Sequence, residues 1–212
     1  MSMSENLPVG GRSISAEEAD RLWAPWTPTE VADRLAEVDT RWCVAAGWAI
    51  DLYLGGPPRP HADLEIAVPR RTFPQIAGAL AGFEWDVAGD GRLWPFADVG
   101  DHPDLHQTWC RDPATGQYRL DVFREPHDGD IWVCRRDPSI TLPYDELIRV
   151  RDGIPYVIPE VALLFKAHRT ADKDEDDFRR VAPRLADDAR TRLIGWVARL
   201  YPDHPWLDQL RV

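Results

Sequence analysis

Two carboxylates one residue apart in a strand-like stretch constrain this chain more than any other feature. They are Asp63 and Glu65, in Arg59-Pro-His61-Ala-Asp63-Leu-Glu65-Ile-Ala-Val68. Residues two apart on a strand share a face. Leu64, Ile66 and Val68 therefore form an apolar face, and Asp63, Glu65 and Ala67 a polar one. The apolar face asks for a core. The paired acids repel each other, and folding gains nothing from holding them together. Either the polar face is a solvated edge, or a divalent cation offsets the repulsion. Mg²⁺ suits the second case, because it combines one or two carboxylates with phosphate oxygens of a substrate.

The residues just upstream favour the metal. Trp42-Cys43-Val44-Ala45 is a short apolar run, and Ala46-Gly47-Trp48-Ala49-Ile50-Asp51-Leu52-Tyr53-Leu54 follows, ending at Gly55-Gly56. The pattern predicts a strand, a tight turn at Gly47 and a helix of about two turns stopped by the glycine pair. A helix N-terminus after a small-residue turn presents unpaired N–H groups and the positive end of the helix dipole to an anion. Ala46, Gly47 and Trp48 are thus candidates to cradle phosphate. A phosphate cradle followed by metal ligands implies a metal-bound nucleoside triphosphate, ATP in the first instance.

Gly47-Trp-Ala-Ile-Asp51 followed by Arg59-x-His61-x-Asp63-Leu-Glu65-Ile resembles the signature of nucleotidyltransferases with the DNA polymerase beta-type fold. Within that fold the chain looks most like the aminoglycoside 2''-adenylyltransferases and lincosamide nucleotidyltransferases. The resemblance is strong over residues 42–70, looser to about residue 180, and absent before residue 20. It implies a mixed α+β core, Mg²⁺, and Asp63 and Glu65 as metal ligands and catalytic residues. The chain departs from the family at Ala46, where glycine is usual, and at Glu65, where many relatives have aspartate. A backbone needing positive φ at Ala46 would make alanine costly.

Downstream, Gln117-Tyr-Arg119-Leu-Asp121-Val-Phe123-Arg-Glu125 alternates again, and the turn Asp112-Pro-Ala-Thr-Gly116 pairs it with Leu105–Arg111 as a hairpin. A strand placed beside the one carrying Asp63 would bring Asp121 to the polar face. The family likeness then implies Asp121 as third metal ligand or as the base for the acceptor hydroxyl. The other reading is a surface acid paired with Arg119. Arg59, His61 and Lys166 are candidates for the β- and γ-phosphates. Lys166 lies in Pro159-Glu-Val-Ala-Leu-Leu-Phe-Lys166-Ala-His168, a helix apolar nearly all round. Such a lysine needs a partner or a route to solvent. His168 reads as a core histidine. Asp172–Asp177 reads as the acidic first turn of a further helix, its carboxylates solvated or receiving a polycationic acceptor. The family likeness adds Lys173 as a secondary phosphate contact.

The 212 residues allow one good core, or a core with an appendage. We expect an α+β fold in two parts. Residues 1–138 form a mixed-sheet nucleotidyltransferase core with flanking helices and a loose tail over 1–11. Residues 139–212 form a mainly helical part closing the cleft. Ser15–Glu18 and Thr27–Glu30 read as capping boxes opening two helices, and Thr72–Leu80 as another. A net charge of −11 with no run of basic residues argues against general nucleic-acid binding and suits a cationic small molecule. Of ten tryptophans, Trp48 alone adjoins the site turn; Trp23, Trp26, Trp85, Trp94, Trp109 and Trp132 read as core. Three scattered cysteines imply neither zinc nor a disulfide framework. With no bilayer-length apolar stretch and no signal peptide pattern, the expectation is a cytoplasmic monomer or homodimer.

The functional expectation is a Mg²⁺-dependent transferase moving an NMP group from an NTP to a hydroxyl of a small molecule, aminoglycoside- and lincosamide-like antibiotics among the candidates. Two alternatives stand beside it. One is a toxin-type transferase acting on tRNA or protein; the other is a degenerate, non-catalytic scaffold binding a ligand or partner.

Overall fold

A computed structural model describes residues 7–56, 59–168 and 171–211. Arg12–Ser13 (β1) leads to Ala16–Leu22 (α1), whose N-terminus is capped by Ser15 accepting the Glu18 N–H at 3.1 Å. Pro28–Arg34 (α2) starts from a complete capping box. Glu30 accepts the Thr27 N–H at 2.7 Å and Thr27 accepts the Glu30 N–H at 3.3 Å. Cys43–Val44 (β2), Ala46–Leu54 (α3), Glu65–Pro69 (β3) and Phe73–Ala79 (α4) follow. Next come Glu84–Gly89 (β4), Arg92–Pro95 (β5), Phe96–Val99 (α5), Gln107–Arg111 (β6) and Tyr118–Glu125 (β7). His127–Asp128 (β8), Ile131–Val133 (β9), Thr141–Pro143 (β10), Tyr144–Leu147 (α6), Ile148–Arg151 (β11) and Ile154–Val157 (β12) continue the chain. It ends in Pro159–Lys166 (α7), Asp172–Val181 (α8), Asp187–Leu200 (α9) and Trp206–Leu210 (α10). The architecture is α+β with mixed strand directions, as expected.

The chain divides into two compact units: residues 1–42 with 61–126, and residues 43–60 with 127–212. This division passes at 126/127 and takes in 43–60, whereas the sequence suggested a boundary at 138.

In the first unit the strand order is β1-β5-β4-β6-β7-β3, antiparallel throughout except for the parallel pair β7/β3. The predicted alternation holds. Leu64, Ile66, Val68, Leu120 and Val122 are buried, while Asp63, Glu65 and Ala67 are half-buried. The loop before β6 is gripped by two arginines. Arg124 donates to the carbonyls of Gly100 and Leu105 and to Thr108 Oγ1, and Arg70 donates to those of His102, Pro103 and Leu105. That grip sets where Gln107 enters the sheet. The described part of the expected loose tail is anchored: Leu7 packs on Val87, Trp94 and Leu105, and Arg92 donates to the carbonyls of Gly10 and Gly11. Residues 1–6 lie outside the described residues.

The second unit holds β2 parallel to β12, β12 antiparallel to β11, and a small sheet β10-β9-β8. The β11/β12 hairpin turns at Asp152-Gly153, both at positive φ (51° and 81°), the geometry of a two-residue primed turn. Helix α7 is buried from Pro159 to Leu164, with Glu160 held by Arg192 at 2.6 Å. Trp206 stacks on Phe178 with ring centroids 4.2 Å apart. Trp26, Trp94 and Trp132 are core residues, whereas Trp23, Trp85 and Trp109 are half-buried. His168 is exposed rather than in the core, because α7 ends at Lys166 and the chain leaves the buried stripe. All three cysteines are buried, and none is in a disulfide. Among the described residues no helix is long and apolar enough to cross a membrane.

Candidate active site

In the first unit, the parallel pairing of β3 with β7 places Glu65 opposite Asp121. The Asp121 N–H donates to the Leu64 carbonyl at 2.9 Å, locking that register. Directly opposed residues on paired strands share a face, so a row runs across the sheet from Glu65 through Asp121 and Trp109 to Asp86. Asp86 is well paired, accepting from Arg111 at 2.9 Å and from the Tyr118 hydroxyl at 2.8 Å. Asp121 is not.

Asp121 is 2% exposed. Gln107 donates to its Oδ2 at 2.8 Å, while Oδ1 is buried without a hydrogen-bond partner. The indole N–H of neighbouring Trp109 is also buried; it makes no well-formed hydrogen bond but lies near enough to Asp121 to favour its charged form. Burial pushes the Asp121 carboxyl up to about 7 and the negative charge of Asp63 adds to this, against the Gln107 hydrogen bond. The alternative pairing with Arg119 does not form, because Arg119 bonds Asp112 at 3.0 Å and the Ala24 carbonyl at 3.1 Å. A buried carboxylate oxygen with no partner, beside two further acids, is the donor chemistry a hard cation satisfies. Among the described residues, however, no three His, Cys, Asp or Glu side chains already converge as a metal-holding group. Binding a metal would have to draw these acids together.

In the second unit, α3 starts after Ala45 with no side-chain cap, leaving its first N–H groups toward whatever approaches. Ala46 has φ of +49°, the left-handed region that glycine adopts freely and alanine does not. The turn thus holds a conformation that favours glycine, and the chain carries the strain of alanine there. Gly47 is buried and Trp48 half-buried. Gly55 closes the helix at φ +67°, its N–H bonding the Asp51 carbonyl at 2.9 Å.

Arg59 and Lys166 come together in this unit, on carboxylates of α8. Lys166 Nζ lies 2.7 Å from Asp174 and 3.0 Å from Asp177, and Arg59 lies 3.2 Å from Asp177. Lys166 therefore does not snorkel. The acidic run is split by helical periodicity: Asp172, Lys173 and Asp176 are exposed, while Asp174 and Asp177 turn inward. His61 is half-buried in the first unit with Asp63, Glu65 and Asp121, whereas Ala46, Gly47, Trp48, Arg59 and Lys166 belong to the second. Sequence reasoning missed Gln107, Trp109, Asp177 and Arg180. Gln107 and Trp109 alternate on the strand preceding Asp121, which was the available signal for them.

Residues 29–108 match the family model described as aminoglycoside-2''-adenylyltransferase. The fold is similar to that of the lincosamide antibiotic adenylyltransferase LnuA in its lincomycin-bound crystal structure. The TM-score is 0.51 at 14% identity, over 80% of this chain and 97% of that one. It is also similar to ANT(2'')-Ia in complex with adenylyl-2''-tobramycin, with a TM-score of 0.52 at 13% identity over 81% and 95% of the two chains. The solution structure of ANT(2'')-Ia gives 0.55 at 14% identity over 86% and 94%. The chain thus resembles aminoglycoside-2''-adenylyltransferases over residues 29–108 and shares the fold of these nucleotidyltransferases. No curated protein matches its sequence. The nucleotidyltransferase family match spans the α3 turn, Asp63 and Glu65 and stops before Asp121 and Lys166.

Proposed function

We propose that this protein is a nucleotidyltransferase that transfers an NMP group from an NTP, ATP first among them, to a hydroxyl of a small acceptor, with Mg²⁺ as cofactor. The observation that supports this most is the buried, unpartnered Oδ1 of Asp121 in register with Glu65 and beside Asp63. Asp63, Glu65 and Asp121 would hold the metal. When bound, Mg²⁺ neutralises the triphosphate and helps align the reacting oxygens. The α3 turn at Ala46, Gly47 and Trp48, with Arg59, His61 and Lys166, would bind and orient the nucleotide. Gln107 holds Oδ2 of Asp121, so that Oδ1 is the oxygen left for the metal. The acceptor hydroxyl gives up its proton to a carboxylate of the site, from which it passes to water; its oxygen bonds to the α-phosphorus, the bond to the β-phosphate oxygen breaks, and pyrophosphate leaves.

A net charge of −11 suits a cationic acceptor, and the likeness to aminoglycoside- and lincosamide-modifying enzymes makes such antibiotics the first to test. Calorimetric titration with a non-hydrolysable ATP analogue, with and without Mg²⁺, tests the site on wild type and Asp63→Asn. Incubation with NTP and candidate acceptors, read by mass spectrometry for one added NMP, tests the reaction. The strained Ala46 favours a second reading, a non-catalytic scaffold; absence of Mg²⁺-dependent binding to every triphosphate, with acceptor present, would support it.

A further inference from the structure

The second unit contains an ion cluster built around one carboxylate. Asp177, whose side chain is 0% exposed, meets Lys166 at 3.0 Å, Arg59 at 3.2 Å and Arg180 at 3.6 Å. Asp174 shares Lys166 at 2.7 Å, and Asp51 takes Arg180 at 2.8 Å and the Arg59 backbone N–H at 3.0 Å. Three cations thus meet three carboxylates drawn from α3, α7, α8 and the segment at Arg59. Buried ion pairs are poor stabilisers, since well-packed apolar groups serve as well or better. What such a cluster does well is hold charge in a defined place.

The place is informative. Asp51 lies three and four residues past Trp48 and Gly47, hence on their face of α3, and helical side chains lean toward the N-terminus. Arg180, anchored on Asp51, therefore sits about one turn from the start of that helix. Its side chain is 35% exposed, so the guanidinium is not wholly consumed by the cluster. An ammonium has three donors, and Asp174 and Asp177 account for two of those on Lys166.

We infer that Asp177 is a positioning residue of the proposed nucleotide site, and that Arg180 joins Arg59 and Lys166 as the third cation of its triphosphate subsite. This rests on the proposed function. Asp177 touches no phosphate; it gathers three cations that would otherwise repel one another, and Asp51 and Asp174 set their outer positions.

The test is calorimetry with Mg²⁺ and three probes, namely a non-hydrolysable ATP analogue, inorganic tripolyphosphate and AMP. It is run on wild type, Asp177→Asn, Asp177→Glu and Arg180→Met. The expected result is a loss on the order of tenfold or more for the ATP analogue and tripolyphosphate in Asp177→Asn and Arg180→Met. AMP should change by no more than about twofold, and Asp177→Glu should recover part of the loss. Unchanged triphosphate binding in folded Asp177→Asn and Arg180→Met, or an equal loss for AMP, would overturn the inference while leaving the proposed function standing. Should Asp177→Asn fail to fold, the more exposed Arg180→Met decides alone. Wild type that binds neither polyphosphate would overturn the proposed function and this inference with it.

Discussion

Glu65 and Asp121 stand opposite each other on parallel neighbouring strands, and only one of the two Asp121 oxygens has found a hydrogen bond. Adjacent strands lie about 4.8 Å apart, so ionising Asp121 sets its charge close to Glu65, and Gln107, being neutral, does not offset it. The arrangement costs stability and makes sense as a place kept for a cation.

That cost should be visible in pH. Burial raises the Asp121 carboxyl to about 7, so between about pH 4 and 7 the folded state holds a proton that the unfolded chain has lost. Stability carried by this group is present below the unfolded value and falls as pH rises through the folded one, by about one kcal/mol per pH unit. Urea unfolding in EDTA at pH 5 and pH 8 should show this loss in wild type, and Asp121→Asn should remove it. A wild-type difference that Asp121→Asn leaves intact would assign the effect elsewhere.

Asp63→Asn and Glu65→Gln should abolish Mg²⁺-dependent nucleotide binding while changing the stability of the metal-free protein by no more than about 1 kcal/mol. Titration calorimetry and thermal melts in EDTA read the two effects separately. Retained Mg²⁺-dependent affinity in both variants would remove these acids from the site.

Ala46 at φ +49° predicts that Ala46→Gly stabilises the protein by about 0.5–1 kcal/mol, the relief of left-handed strain exceeding the entropy glycine adds to the unfolded chain. Triphosphate binding should be unchanged or tighter. A lower melting temperature in Ala46→Gly would mean that the Cβ packs usefully and that the strain is small.

Gly55 predicts the opposite sign. Its φ is +67°, and an added Cβ would meet the Arg151 guanidinium, which donates to the carbonyls of Leu52 and Tyr53 at the end of α3. Gly55→Ala should cost about 1–2 kcal/mol in a thermal melt, and Gly56→Ala, with open space around it, much less.

The strand-turn-helix at 42–54, the alternating faces around Asp63 and Asp121, the β6/β7 hairpin and both N-terminal caps were legible because each is a local pattern. The β11/β12 hairpin was missed although Asp152-Gly153 is a strong turn signal, since the apolar alternation of Ile148–Arg151 is weak and Val150 is exposed. Of the acidic run, periodicity could say which residues share a face but not which face is covered.

What the sequence by itself determined was local: which residues face together on a strand, where helices start and stop, and that the acids at 63 and 65 share a side. Tertiary structure alone decided that β3 and β7, more than fifty residues apart, pair with Glu65 opposite Asp121. It also decided that Asp177 gathers Arg59 and Lys166 and that Ala46 must take a left-handed turn. The reason is physical. Backbone propensity and side-chain periodicity act over a few residues, whereas register, burial and ion pairing depend on which distant segment arrives, and that is settled only when the whole chain packs.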